Sequence, residues 1–136
     1  MNSPKPILLV EDDCVDVMTV RRGLKKLKVS NELIVAENGE EALNYLGRPD
    51  ATEPCLMLLD INMPKMNGLE LLCHLKQHPR YKRIPVVMLT SSREHQDVEF
   101  CFDCSVAGYL PKPVAYEHFV DLLQVLENYW SLSELP

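Results

Sequence analysis

Five short apolar runs, each followed by a stretch with helical spacing, constrain this chain more than any other feature. Ile7 to Val10, Leu33 to Val35, Leu56 to Leu59, Ile84 to Leu89 and Tyr109-Leu110 are too short for buried helices. They have the continuous apolar character of strands covered on both faces. Between them the period changes. Val17, Val20, Leu24 and Leu27 recur by threes and fours, which predicts a helix. Glu40 to Leu46 reads as a short helix with Ala42, Leu43 and Leu46 inward, and Leu69 to Gln77 as a helix that stops before Pro79. Glu94 to Ser105 places Val98, Cys101, Phe102 and Ser105 on one face, and a last helix from about Ala115 to Tyr129 turns Phe119, Leu122, Leu123 and Leu126 inward. Gly47 to Pro54 reads as a loop. Strand and helix alternate five times. The expected fold is therefore α/β: a doubly wound, five-stranded parallel sheet with helices on both faces and right-handed crossovers.

The length of 136 residues suits a single domain, taken as 1–136 with a core over about 6–130 and a C-terminal tail over 131–136. A formal net charge of −6 argues against non-specific binding to nucleic acid or to an anionic membrane. No apolar stretch approaches the length of a spanning helix, and Met1 to Pro6 lacks a signal-peptide core, so the expected location is cytoplasmic. Cys14, Cys55, Cys73, Cys101 and Cys104 are odd in number and scattered through apolar stretches, which speaks against a disulfide framework. Cys101 and Cys104 form a C-x-x-C, but in a mid-helix reading rather than at a helix start, so packed thiols are the better account. His74, His78, His95 and His118 show no metal-ligand spacing and read as surface residues.

Chemistry collects where the apolar runs end. Leu8-Leu9-Val10 runs into Glu11-Asp12-Asp13, Leu56 to Leu59 into Asp60, Val86 to Leu89 into Thr90-Ser91, and Tyr109-Leu110 into Pro111-Lys112-Pro113. In either plausible doubly wound strand order, ligands bind at the carboxyl ends of the strands. Glu11, Asp12, Asp60, Thr90 and Lys112 thus share one sheet edge. Several carboxylates in a small space need a cation to offset their repulsion. An all-oxygen set suits a hard divalent cation such as Mg2+, held by Glu11, Asp12 and Asp60, with the backbone carbonyl of Asn62 two residues on. Asp60 would be both ligand and nucleophile, since a carboxylate accepts a phosphoryl group as an acyl phosphate. Thr90 and Lys112 would bind phosphoryl oxygens as charge spreads over them. Taken singly, each has a plainer account: Asp60 as an acid after a strand, Thr90 as a helix cap, Lys112 as a solvent-facing cation. Agreement among four strand ends is what those accounts do not predict.

Together, Val10-Glu11-Asp12-Asp13, Asp60-Ile61-Asn62-Met63-Pro64 with Gly68, Leu89-Thr90-Ser91 and Tyr109 with Lys112-Pro113 resemble the receiver domain of two-component response regulators, over about Pro6 to Leu126. The resemblance implies the flavodoxin-like receiver fold, strand order 2-1-3-4-5. It implies a sensor histidine kinase or histidine phosphotransfer protein as phosphoryl donor to Asp60, a Mg2+ requirement, Thr90 and Tyr109 as a switch pair, and a cis bond before Pro113. With the chain ending soon after the last helix, it resembles the stand-alone type. Lys82-Arg83-Ile84-Pro85-Val86-Val87 and the tail from Tyr129-Trp130 to Leu135-Pro136 are similar to the group paired with bacterial phytochromes, although prolines on both sides of Lys112 depart from that group.

Two further features remain. The last helix carries apolar residues beyond one stripe (Tyr116, Val120, Tyr129, then Trp130), which predicts a homodimer through it. The first helix carries Arg21, Arg22, Lys25 and Lys26, followed by Lys28, either a solvated face or a docking patch for the phosphoryl donor. Two other functions compete. A Mg2+-dependent phosphatase with an aspartate nucleophile would share the chemistry, but the second acid such enzymes use two residues on is Asn62 here. A receiver-like module that is never phosphorylated predicts losses in the acid, hydroxyl and lysine set, and none is lost.

Overall fold

The computed structural model describes residues 5–90, 94–112 and 116–132, with side chains through 128. The sheet contains β1 (Ile7–Val10), β2 (Leu33–Ala36), β3 (Leu56–Leu59), β4 (Val86–Thr90) and β5 (Gly108–Pro111). All neighbours pair in parallel, in the order β2-β1-β3-β4-β5. Helices α1 (Cys14–Lys26), α2 (Gly39–Leu46), α3 (Gly68–Gln77), α4 (His95–Asp103) and α5 (Tyr116–Leu132) alternate with the strands. A 3-10 turn at Tyr81–Arg83, which the periodicity did not predict, closes against α3.

Alternation along each strand builds two cores. Leu8, Val10, Met57, Leu59, Val86 and Met88 face α2, α3 and Cys101 of α4. Ile7, Leu9, Leu56, Leu58, Val87 and Leu89 face α1 and α5 through Val20, Leu24, Phe119 and Leu123. Every residue of β1, β3 and β4 is buried, which is why these runs lack the polar alternation of a one-sided sheet. Phe119 is fully buried, worth about 2–3 kcal/mol for a large apolar side chain. Its ring lies against Gly23, whose missing Cβ would sit 2.7 Å from it, so glycine lets α1 and α5 close together.

Helix ends follow local chemistry. Asp13 caps α1, accepting from the backbone of Val15 and Asp16. Asn38 caps α2. Asn67 and Glu70 form a reciprocal capping box on α3. At the end of α3, His78 accepts from the backbone of Arg80 and Tyr81 through Nδ1 and stacks on Tyr81 at 3.8 Å.

Two expectations need correction. Phe102 and Ser105 do not face the core: Phe102 is 52% exposed and Ser105 is exposed, outside the helix. In α4 Cys101 is the buried residue, Val98 and the C-cap Cys104 are half-buried, and Phe102 is turned about 100° from Cys101. Tyr116 is not spare apolar surface either, since the Arg22 guanidinium covers its ring at 4.6 Å. The C-x-x-C lies at the C-terminal end of α4, with Cys101 buried and its thiol pushed up to about 11 by burial, which fits a packed, unreactive thiol. Ser91, the bond before Pro113, the side chains of Tyr129 and Trp130 and most of the tail lie outside the described residues.

Candidate functional site

Backbone hydrogen bonds carry the sheet one residue past its strands at the carboxyl edge. Glu11 N–H donates to Ala36 O (2.9 Å), Asp60 N–H to Val10 O (3.1 Å) and Lys112 N–H to Thr90 O (2.7 Å). The first residue of each loop is therefore held as firmly as a strand residue, and four strand ends meet around Asp60. Behind it, Gly68 opens α3 so close that a Cβ there would lie 2.1 Å from Asp60 O. The Pro64–Gly68 segment thus clamps Asp60 from the helix side, and Gly68 N–H donates to Ile61 O.

Glu11, Asp60 and Thr90 are buried, at 3%, 5% and 0% exposure, while Asp12 is exposed at the rim. One carboxylate oxygen each from Glu11, Asp12 and Asp60 can lie within 4.8 Å of the others. Asn62 N–H donates to Asp60 Oδ1 at 3.3 Å. The Lys112 ammonium donates to Glu11 Oε1 and pairs with Asp16 Oδ2 at 2.7 Å and Asp60 Oδ2 at 3.4 Å. Thr90 ends β4 in register with Pro111, and Tyr109, in register with Met88, packs half-buried against the core. Thr90 is a strand residue, not a cap: α4 is capped by Glu94, without a side-chain hydrogen bond.

The electrostatics show strain among the acids. Burial pushes the Glu11 carboxyl up to about 8, with Asp60 adding to the rise and Lys112 opposing it. Burial alone would lower the Lys112 pKa, but hydrogen bonds to Asp16 and Glu11 and the charges of Glu11 and Asp60 overcome it, so the ammonium stays charged. Glu11 Oε2 is buried with no hydrogen-bond partner among the described residues. A buried, unpaired carboxylate oxygen beside two further acids is what a hard divalent cation satisfies. Glu11, Asp12 and Asp60 fit such an ion.

Of the residues that strand-end position placed at this edge, the structure gathers Glu11, Asp12 and Asp60 and pairs Lys112 with Glu11 and Asp60. It sets Asn62 N–H on Asp60 Oδ1 and places Thr90 at the end of β4, its backbone carbonyl accepting from Lys112 N–H. It adds Asp16, 96 positions from Lys112 in sequence, which no sequence signal had marked. Fold and site together define a phosphoryl-signalling receiver, and the chain belongs to the response regulator receiver domain family, whose model matches residues 7–124. That family, not the aspartate phosphatases, accounts for the chain, and receiver proteins of this family act in signalling with histidine kinases or phytochromes.

Among known proteins, the response regulator Rcp1 of Synechocystis sp. is 39% identical over 133 residues, covering 95% of this chain and 90% of the relative. The structure of the Mn(2+)-bound form of Rcp1 matches with a TM-score of 0.85 at 38% identity, covering 98% of this chain and 99% of that one. The phosphorylated cyanobacterial phytochrome response regulator RcpA matches at 0.84 and 34% identity, covering 97% and 98%. The bacteriophytochrome response regulator RtBRR matches at 0.80 and 42% identity, covering 97% and 84%. Receivers of this family bind Mg2+ or Mn2+, in keeping with the three-acid cluster. Among the described residues, no helix is long and apolar enough to cross a membrane.

Proposed function

We propose that Asp60 accepts a phosphoryl group from a histidine kinase or histidine phosphotransfer protein, and that the protein works as a phosphorylation-controlled interaction switch. The observation that carries this reading is a carboxylate at the end of the central strand β3, 5% exposed, with two further acids on one side and an ammonium on the other. In the transfer, an Asp60 oxygen forms a bond to phosphorus as the donor's N–P bond breaks, and that electron pair stays with the imidazole nitrogen. Glu11, Asp12 and Asp60, with the Asn62 carbonyl, would hold Mg2+, which would supply positive charge for the phosphoryl oxygens. Thr90 donates its hydroxyl to one of those oxygens, and Lys112 donates to another. Thr90 leaving its resting rotamer vacates space beside β5, and Tyr109, half-buried one strand over, turns inward to fill it. On this reading the protein turns over no separate substrate: it assists only its own phosphorylation and dephosphorylation.

The relatives support the partner class. Two of the structural matches above are named as phytochrome or bacteriophytochrome response regulators, which supports a phytochrome-type sensor kinase as the donor. We assign the protein to the cytoplasm as a single receiver domain. We also assign a symmetric homodimer through α5. Val125, 63% exposed on α5, supports it.

The test is intact-protein mass spectrometry after incubation with a small phosphoryl donor and Mg2+. Wild type gains one hydroxylamine-labile phosphoryl group and Asp60→Asn gains none. Equal labelling of the two would remove Asp60 from the role.

A further inference from the structure

Lys112 has a partner outside the acid cluster just described. Asp16, in the first turn of α1, places Oδ2 2.7 Å from the ammonium, closer than Asp60 Oδ2 at 3.4 Å. Asp16 is not among the acids that converge for a cation. We propose that Asp16 is a positioning residue that competes with the incoming phosphoryl group for the Lys112 ammonium and so sets the site's affinity for it. The inference rests on the reading of Asp60 as phosphoacceptor.

An ammonium has three N–H donors, and three carboxylates already surround this one. A phosphoryl oxygen gains a donor only by displacing one of them. Glu11 is a costly partner to give up, since its side chain is 3% exposed and one of its oxygens already has no hydrogen bond among the described residues. The Asp60 oxygen becomes part of the acyl phosphate. The Asp16 side chain is 29% exposed, so water can take over its oxygen. Asp16 is therefore the partner that yields.

The backbone on both sides is fixed, so the exchange is a movement of side chains. Lys112 N–H is held by Thr90 O, and Asp16 N–H by the Asp13 cap at 3.2 Å. The lysine stem, 13% exposed, runs between α1 and the sheet edge. Its ammonium swings between a resting position shared with Asp16 and an engaged position on the phosphoryl oxygen.

The experiment titrates beryllofluoride, a phosphoryl analogue, in saturating Mg2+ against wild type, Asp16→Asn, Asp16→Glu and Asp60→Asn, read by fluorine NMR. Asp16→Asn should tighten beryllofluoride binding about two- to fivefold, the size of one partly exposed ion pair. Asp16→Glu keeps the charge and should return the affinity toward wild type. The Lys112 ammonium resonance should shift in Asp16→Asn before any analogue is added. A purely structural role for Asp16 would weaken binding instead, so unchanged or weaker affinity in Asp16→Asn, or an unmoved Lys112 signal, overturns the inference. A wild type whose binding does not depend on Asp60 overturns the phosphoacceptor reading itself, and the Asp16 inference with it.

Discussion

Replacing Gly68 by alanine should damage this protein far more than one methyl group suggests. The added Cβ would stand 2.1 Å from Asp60 O, 2.8 Å from Asp60 C and 2.9 Å from Ile61 Cα. All three are backbone atoms, so no side chain can rotate away. Relief requires α3 or the Asp60 backbone to move by about 1 Å, in an interior packed as densely as a molecular crystal. Overpacking of this kind costs roughly 1–3 kcal/mol, and a rigid backbone neighbour places the cost near the upper end. Alanine recovers about 0.5–1 kcal/mol through a less flexible unfolded chain. The net expectation is a loss of about 2 kcal/mol, or roughly 6–10 °C in melting temperature for a domain of this size. Asp60 should also be displaced, lowering the rate of labelling by a small phosphoryl donor. Gly108→Ala is the matched control: its Cβ would meet nothing closer than Val87 Cγ1 at 3.8 Å. Chemical denaturation of both variants beside wild type decides the matter. A Gly68→Ala protein within about 0.5 kcal/mol of wild type would refute the clamp, because point changes away from special features stay within that range.

Other outcomes follow from the same geometry. Gly47→Ala should stabilise by about 0.4–1 kcal/mol, since Gly47 has φ −83° and a Cβ there would come no closer than 3.4 Å to Leu43 O; thermal unfolding checks it. Asp12→Asn removes one of three converging acids, so the metal-free protein should melt higher than wild type while Mg2+ binds more weakly; calorimetry in chelator and Mg2+ titration read the two effects, and an unchanged Mg2+ affinity rejects Asp12 as a ligand. Val125→Glu should shift the protein toward monomer in sedimentation if α5 is the dimer surface, and a wild type that stays monomeric with and without beryllofluoride removes the dimer.

Much of the sheet was legible because burial on both faces leaves an unbroken apolar signature. Leu56 to Leu59 was bounded to the residue, and β1 likewise. The helices were harder where the apolar stripe is thin. In α4 the small thiols of Cys101 and Cys104 face inward and Phe102 faces out, so size misleads where spacing does not. The site was legible at Asp60, Glu11 and Lys112 because parallel strands deliver their carboxyl ends to one edge. The Asp16 contact was not, because nothing in a helical first turn says which distant side chain it will meet. The clamp at Gly68 was not legible either, since close approach between two backbones leaves no mark on composition. Asn67 and Glu70, by contrast, carried a readable capping signature that periodicity alone passed over.

The sheet also grades in rigidity across its width. β1 and β3, which present the acids, lie inside the sheet with every residue buried, while β5, which leads to Lys112 and carries Tyr109, is an edge strand of half-buried residues ending in an exposed proline. Amide hydrogens of Leu8, Leu9, Met57 and Leu58 should therefore exchange with solvent only when the whole molecule opens, whereas those of Tyr109 and Leu110 escape through smaller, more frequent openings. Under the proposed function, the acids thus stand on strands that open only with the whole molecule, while Tyr109 would report phosphorylation from an edge strand that yields more readily.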